Sequence, residues 1–171
     1  YASHDLSGIQ FSKMDLTACD FSNQNLTGTI LDTVALTNAN FTGAIINGGT
    51  IIRQANFTSS QLYSTASYAS GDLSGTRLES LNLTGWTFAK QNLTKASLSH
   101  STVTNAVFAN AIINGVDFGY ATGLTPAQIY ATSSYASGDL SGIRMAHDDL
   151  TGWNFASQNL NGANLSSSTL S

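Results

Sequence analysis

Histidine and acidic side chains are the groups in this chain that could bind a metal ion or transfer a proton. The three histidines, His4, His100 and His147, are far apart in sequence, and no two have the spacing of paired metal ligands. The tightest cluster of titratable groups is His147-Asp148-Asp149. Its first residue falls at a turn position and its last at a regularly polar position, so we interpret the cluster as a solvated turn. No metal site is predicted.

The other groups that could do covalent chemistry lack the neighbours that would activate them. Cys19 is the only cysteine, so it cannot form an intramolecular disulfide. It falls at a small inward position without a neighbouring histidine, where a free thiol behaves as a compact apolar group. No Gly-X-Ser-X-Gly elbow and no glycine-rich phosphate loop is present. The sequence therefore predicts a chain without catalysis and without a cofactor.

Charge is scarce along the 171 residues. Lysine and arginine number six against ten aspartates and glutamates, which gives a formal net charge of −4. This balance lacks the basic surface that nucleic-acid binding requires. No apolar run approaches the ~20 residues that a membrane-spanning helix needs. We therefore predict a soluble chain with no nucleic-acid partner and no membrane insertion.

The sequence repeats itself with a period of 67 residues. The first eight residues, Tyr-Ala-Ser-His-Asp-Leu-Ser-Gly, return twice with a single change, glycine for histidine. Nested tandem repeats are typical of solenoids, in which each repeat packs on its neighbours. We predict a single solenoid over 1–171, made of copies 1–67 and 68–134 and a partial copy 135–171.

Within each copy a large apolar residue returns every five positions. A period of five fits neither the helical period of 3.6 nor the strand period of 2, so the chain must turn once per pentad. Small residues two positions earlier would fill the corners, and serine, threonine and glycine after the large residue suit turns. The large residues are predicted to stack into a core ladder: Leu6, Phe11, Leu16, Phe21, Leu26, Leu73, Leu78, Leu83, Phe88, Leu93, Leu140, Met145, Leu150, Phe155 and Leu160.

The pentads resemble those of the pentapeptide-repeat family, whose motif reads Ala-(Asp/Asn)-Leu-X-X. Ala39-Asn40-Phe41, Ala55-Asn56-Phe57 and Ala163-Asn164-Leu165 carry the motif in this chain. The resemblance covers almost the whole chain and implies an all-β solenoid, a right-handed quadrilateral β-helix with one pentad on each side. Four pentads in each coil then give about eight coils. Residues 124–130 and 152–160 also look like pentapeptide-repeat segments of secreted, planctomycete-type surface proteins.

Each complete copy contains a short insert. Twelve pentads account for sixty of the 67 residues, and the seven left over lie between Thr58 and Tyr68 and between Thr125 and Tyr135. Thr125-Pro126 is typical of a helix start, with threonine as the cap and proline in the first helical position. We therefore predict a short helical turn in the insert.

Two tryptophans stand at inward corner positions that are too narrow for them. Trp86 and Trp153 each fall one coil above an insert, whereas the equivalent residue of the first copy, which follows no insert, is Cys19. The tryptophans are predicted to turn outward over insert residues, Leu62 and Tyr63 for Trp86, and Ile129 and Tyr130 for Trp153.

These features predict a structural role. Neither terminus contains a capping element, and the pentads give 31 sides, one short of eight coils. A second subunit stacking head to tail would continue the core and the backbone hydrogen bonds, a contact that produces an open filament. The end-stacking residues would be Tyr1, Leu6, Leu165 and Leu170. The missing initiator methionine fits an extracellular or cell-surface protein after signal removal, or a piece of a longer protein.

A second class of function is an interaction module. Exposed aromatic side chains on the side of the solenoid would favour binding to a protein or a carbohydrate. Regular threonines and serines could also present a flat face to ice or polysaccharide, although asparagine interrupts them. The candidate interaction patch consists of Tyr63, Tyr68, Trp86, Tyr130, Tyr135 and Trp153.

The family resemblance implies a third function, because some members are DNA mimics that bind type II topoisomerases through a strongly negative rod. Asp5, Asp72 and Asp139 should share one side here, but they stand three coils apart and cationic residues interrupt them. A net charge of −4 is weak for imitating phosphates spaced every ~1.7 Å along a duplex. We therefore expect at most a weak mimic.

Overall fold

A coil of the solenoid that lacks an insert contains 20 residues. The structure is a computed structural model that describes residues 4–53 and 56–170. Parallel bridges join residues that are 20 apart, as in Asp5 to Asn25, and this spacing recurs along the described chain. Twenty residues are four pentads, so the four-pentad coil that the resemblance implied is confirmed.

The longest backbone pairing forms a parallel sheet on one side of the coil. Its four strands lie in chain order: β1 (Gln10–Ser12), β2 (Ile30–Asp32), β3 (Thr50–Ile52) and β4 (Arg77–Glu79). Each strand is three residues long because the chain turns at every corner. The step from β1 to β2 and from β2 to β3 is one coil, whereas the step from β3 to β4 also contains the first insert.

Hydrogen bonds from side chains to the backbone fix the corners. The carboxylate of Asp5 accepts a hydrogen bond from the N–H of Ser7 at 3.0 Å, and Gly8 follows with a φ of 68°. Polar residues replace glycine at other corners, such as Asn23 with a φ of 56°, since asparagine tolerates the left-handed region. Between coils, the amide of Asn25 donates to the carboxylate of Asp5 at 3.1 Å. The polar position of the pentad therefore both forms the turn and links neighbouring coils.

The large periodic residues fill the centre of the coil. Phe11, Phe155 and Leu160 are half-buried against the core, and the other residues of the core ladder are buried. Phenylalanines stack from coil to coil, and the nearly parallel rings of Phe88 and Phe108 have centroids 5.4 Å apart. Such a ring pair contributes about 0.5–1.5 kcal/mol beyond the burial of its area.

Each insert forms two short helices. They are α1 (Ser59–Tyr63) and α2 (Ala66–Ala69) in the first insert, and α3 (Pro126–Tyr130) and α4 (Ser133–Ala136) in the second. The side chain of Thr125 caps α3 by accepting from the N–H of Gln128, and Pro126 begins the helix. The predicted helical turn is confirmed, and a second turn follows it. None of the helices in the described ranges is long and apolar enough to cross a membrane.

Side chains of the inserts form hydrogen bonds that the backbone of a regular coil would form. The amide of Gln128 donates to the carbonyls of Val103 and Ala106, both at 2.8 Å. The buried hydroxyl of Ser134 accepts from the N–H of Ile113 at 2.8 Å. Equivalent bonds in the first insert come from Gln61 and Ser67. The backbone of the coil below therefore stays paired where the seven extra residues interrupt the ladder.

Truncating Leu83 should destabilise the protein far more than truncating an apolar residue on the outer surface. Leu83 is fully buried in the core ladder, whereas Ile112 is 43% exposed. We expect Leu83→Ala to lower the free energy of unfolding by about 2–5 kcal/mol, because it leaves a cavity, and Ile112→Ala by less than about 1 kcal/mol. Urea denaturation measures both values. Similar losses in the two variants would contradict the placement of the ladder.

Candidate functional site

Two tyrosines fasten the first insert to the coil above it. Tyr63 ends α1 and Tyr68 lies in α2, and their ring centroids are 4.6 Å apart. The hydroxyl of Tyr63 accepts a hydrogen bond from the N–H of Thr87 at 2.7 Å, and that of Tyr68 donates to the carbonyl of Thr87 at 3.1 Å. Burial raises the pKa of the Tyr68 hydroxyl. The polar ends of both rings are therefore bound within the molecule.

The second insert repeats this arrangement. The ring centroids of Tyr130 and Tyr135 are 4.5 Å apart. Tyr130 accepts from the N–H of Asn154 at 2.5 Å, and Tyr135 donates to the carbonyl of Asn154 at 2.9 Å. The sequence placed these tyrosines in the candidate interaction patch and left open whether they are exposed. It gave no sign of their backbone partners, which lie in the neighbouring coil and belong to no motif.

The two tryptophans differ in how far they are buried. Trp86 is 8% exposed, and its ring centroid lies 6.1 Å from that of Phe57 and 6.4 Å from that of Tyr63. Trp153 is half-buried and stacks on Phe155 with a centroid distance of 6.1 Å. The half of the candidate interaction patch at the first insert is thus closed, while the half around Trp153 is more open.

Acidic and basic residues pair on the side of the coil that carries the sheet. Among the described residues the ion pairs are Arg53 with Asp32 at 2.9 Å, Arg77 with Glu79 at 2.8 Å and Arg144 with Asp117 at 3.2 Å. Hydrogen bonds from Arg53 lower the pKa of the Asp32 carboxyl. Each arginine is more than half exposed, so each pair contributes roughly 0–1 kcal/mol to stability. Their main effect is to neutralise the acidic charge of this side.

The His147-Asp148-Asp149 turn is only partly solvated. The ring of His147 stacks on that of Tyr120 with centroids 4.3 Å apart, and the carboxylate of Asp149 accepts from the N–H of Thr151 at 3.0 Å. The Oδ2 atom of Asp148, in contrast, is buried and accepts no hydrogen bond from any described residue. The interpretation of the whole cluster as a solvated turn is therefore wrong at Asp148.

Asp148 occupies an inward corner position. Burial, followed by the negative charge of Asp117, raises the pKa of Asp148 to about 6. The equivalent residue one copy earlier is the buried Leu81. The sequence does contain a signal for this group, because Asp148 is a carboxylate at a position where the preceding copy has an apolar residue. Within the described ranges, no three or more histidine, cysteine, aspartate or glutamate side chains are arranged to hold a metal ion.

A pocket of about 290 Å³ opens beside this carboxyl. We call it the Asp148 pocket. Apart from an alanine and a glycine, the residues that line it are Thr122, Leu124, His147, Asp148, Asp149 and Trp153.

The N-terminal end of the described solenoid leaves part of the core uncovered. An apolar pocket of about 230 Å³ opens there, lined by Leu6, Ile9, Phe11, Leu16 and Cys19 among others. Phe11 and Cys19 are half-buried, and Ile9 is 39% exposed. The predicted end-stacking residue Tyr1 lies outside the described residues.

The C-terminal end is also apolar. Phe155, Leu160 and Leu165 are only half-buried, and Leu170 is 58% exposed. The structure thus places Leu165 and Leu170 at one end of the described solenoid, and Leu6 at the other.

Four-sided parallel coils around an apolar ladder define a β-solenoid. The pattern of pentapeptide repeats matches residues 5–43, 72–108 and 92–122 in eight copies, which is more than half of the chain. The chain therefore belongs to the pentapeptide-repeat family, whose fold is a right-handed quadrilateral β-helix. The four-sided parallel coil agrees with that fold, and right-handed crossovers are the rule between parallel strands.

Three solved structures illustrate the likeness. HetL of the cyanobacterium Nostoc, a pentapeptide repeat protein involved in heterocyst differentiation regulation, is 16% identical over 96% of this chain and 86% of its own, with a TM-score of 0.31. QnrB1, a plasmid-mediated fluoroquinolone resistance protein, is 15% identical over 94% and 82%, with a TM-score of 0.42. A pentapeptide repeat protein of the Arabidopsis thaliana thylakoid lumen is 24% identical over 74% and 72%, with a TM-score of 0.32. No curated protein sequence matches the chain.

Removing Trp86 should cost more stability than removing Trp153. We expect Trp86→Ala to lower the free energy of unfolding by about 3–5 kcal/mol, because its ring is closed between Phe57 and Tyr63. Trp153→Ala should cost about 1–3 kcal/mol, since its ring is already partly hydrated. Guanidinium denaturation measures both variants. Equal losses, or no loss at Trp86, would mean that the rings do not pack as described.

Asp148 should make the protein less stable at neutral pH than at mildly acidic pH. Because its pKa rises from 3.8 to about 6 on folding, the folded state binds more protons between these values, and the stability falls as the pH rises through this window. Asp148→Asn should remove the dependence and raise the free energy of unfolding at pH 7 by about 1–2 kcal/mol. This is less than a full two-unit shift implies, because the carboxyl is only half-buried.

Asp149→Asn is the matched control for this pH dependence. Hydrogen bonds from Thr151 lower the pKa of Asp149, so its contribution to stability is lost only as the pH falls below about 4. The control variant should therefore keep the slope between pH 4 and pH 6. Urea denaturation at several pH values tests both variants, and an unchanged slope in Asp148→Asn would refute the assignment.

Proposed function

We propose that the protein is a non-catalytic structural building block. In this proposal, residues 1–171 form a single secreted or surface-exposed β-solenoid of about eight coils that stacks head to tail into filaments. The observation that carries the proposal is that both described ends present apolar core and unpaired backbone. Its extracellular location draws on the resemblance of 124–130 and 152–160 to segments of secreted surface proteins.

Backbone donors face outward at the C-terminal end. One coil earlier, the N–H of Leu140 donates to the carbonyl of Asn159 at 3.0 Å. The matching N–H groups of Leu160 and Leu165 have no acceptor among the described residues. Another coil placed on this end would supply one, as each coil does for the coil before it.

Complementary groups lie at the N-terminal end. Asp5 is the first-copy counterpart of Asp139, which bridges to Asn159. The carbonyl of Asp5 accepts no hydrogen bond from any described residue. In a stacked pair, the N–H of Leu160 in one subunit could donate to the carbonyl of Asp5 in the next. This bond would repeat the one in which the N–H of Leu140 donates to the carbonyl of Asn159.

The C-terminal coil also lacks charged side chains. Residues 150–170 contain no lysine, arginine, aspartate or glutamate. Like charges therefore do not oppose contact with a second subunit on that side. The exposed side chain of Leu170 would gain roughly 25 cal/mol for each Å² of apolar surface that the contact buries.

The alternative functions have less support. Binding to a protein or carbohydrate through Tyr63, Tyr68 and Trp86 would need free rings, but Trp86 is buried and both hydroxyls are bound to the backbone. A DNA mimic acting on a type II topoisomerase would need a continuous negative face. The three arginine–carboxylate pairs neutralise the side that carries the sheet.

Sedimentation velocity and negative-stain electron microscopy across a concentration series test the stacking. We expect association that grows with concentration, and filaments one coil wide. Leu170→Lys should abolish it, because the substitution places a charge on the apolar end. Ile112→Lys, at a side residue that is 43% exposed, is the matched control and should leave association unchanged. A monomer at every concentration, or equal effects of the two substitutions, would contradict the proposal.

A further inference from the structure

The Asp148 pocket lies where two copies of the repeat differ most. Residues 71–93 and 138–160 are identical at 15 of 23 positions. Five of the eight differences are consecutive, at 78–82 and 145–149. Both segments lie one coil above an insert, so the two inserts offer a comparison of the same backbone with different side chains.

At the first insert the corresponding space is filled. Phe57, Leu81 and Trp86 are all buried, and the centroids of the two aromatic rings are 6.1 Å apart. At the second insert, Leu124 replaces Phe57 and Asp148 replaces Leu81. The space that opens, about 290 Å³, is at the lower end of the sizes of ligand-binding pockets. The repeat thus has a closed core at the first insert, where a further coil covers Trp86, and a pocket at the second insert, where no described coil covers Trp153.

The pocket combines negative charge with an aromatic wall. Two acidic residues, Asp148 and Asp149, lie in its lining together with Trp153. The Oδ2 atom of Asp148 is buried without a hydrogen-bond donor among the described residues, so a positively charged donor would offset the cost of its burial. An ammonium group carries such donors, and its charge is also attracted to the face of an indole ring.

The other charged and titratable groups near Asp148 do not supply this donor. Arg144 binds Asp117 at 3.2 Å, and the ring of His147 stacks on Tyr120. In the part of the chain that the structure describes, no cluster of three metal-ligating side chains exists, which favours an organic cation over a metal ion. The pocket is also small, which favours a short, unbranched ligand.

We propose that the Asp148 pocket binds a primary alkylammonium group, the chemistry at the end of a lysine side chain or of a small amine. The ammonium group lies against Asp148 and Asp149, and the alkyl chain lies along Trp153. Asp148 lies on the side of the solenoid, but Trp153 stacks on Phe155 at the C-terminal end of the described chain, so the test includes a variant in which end-to-end stacking is blocked.

Nuclear magnetic resonance of the two indole N–H groups tests the proposal, because Trp153 lines the pocket and Trp86 is buried at the other insert. n-Butylammonium chloride is titrated into the full chain, with sodium chloride at equal ionic strength and n-butanol as the neutral analogue. The same titration of Leu170→Lys keeps association from broadening the signals, and Trp153→Phe assigns them. We expect the Trp153 signal to shift with a dissociation constant on the order of 1 mM or weaker, and the Trp86 signal to stay in place.

Two variants test whether n-butylammonium binding depends on the negative charge of Asp148. Asp148→Asn keeps the size of the side chain and should weaken n-butylammonium binding about tenfold or more, because it removes the charge-assisted hydrogen bond. Asp72→Asn, the same substitution on another part of the solenoid, should leave the affinity unchanged. Circular dichroism of both variants checks that the fold is intact.

The source of the ammonium group is distinguished by Nα-acetyl-lysine amide. Binding as tight as that of n-butylammonium supports a lysine side chain of a polypeptide, and exclusion of this larger probe supports a free amine. The proposal is overturned if n-butanol shifts the Trp153 signal equally, if Asp148→Asn binds as well as the unaltered chain, or if ~50 mM n-butylammonium causes no shift.

Discussion

The pairing of each coil with the next is the constraint on which the rest of the structure depends. The N–H of Leu83 donates to the carbonyl of Thr102 at 2.8 Å, and the N–H of Thr102 donates to the carbonyl of Leu81 at 2.9 Å. Such bonds run along the axis, so the chain must return to the same position after 20 residues in a regular coil, and after 27 where an insert lengthens the coil. This return fixes one large side chain per pentad at the centre and a left-handed residue at many corners, such as Asn23.

The inserts obey the same constraint by a different route. They lengthen a coil, but Gln128 and Ser134 bond to the carbonyls and N–H groups that a regular coil would have met. The tyrosines then bond to the coil above, through both the N–H and the carbonyl of one residue, Asn154. The inserts are therefore integral layers of the hydrogen-bond ladder and not loops added to its surface.

The sequence predicted those features that depend on local pattern. The five-residue period places one large inward residue in each pentad, which predicts that Leu83 is in the core. Thr125 and Pro126 form a local helix signal, which predicts the start of α3. Periodicity alone could not give the number of sides, which came from the family resemblance. The buried carboxyl of Asp148 was missed because a His-Asp-Asp run looks solvated unless it is aligned with its counterpart in another copy. The partners of Tyr130 were missed because they depend on contacts between coils.

The two inserts occupy the same corner of the solenoid. The N–H of Ala66 donates to the carbonyl of Ala44, and the N–H of Ser133 donates to that of Ala111, which is one 67-residue copy later. Three coils separate these positions, so at the ~4.8 Å spacing of neighbouring strands the inserts are ~14 Å apart along the axis. The inserts therefore mark one edge of an otherwise regular rod at a fixed axial interval. They distinguish this edge from the other three, so a partner could recognise both the orientation of the rod about its axis and a position along it.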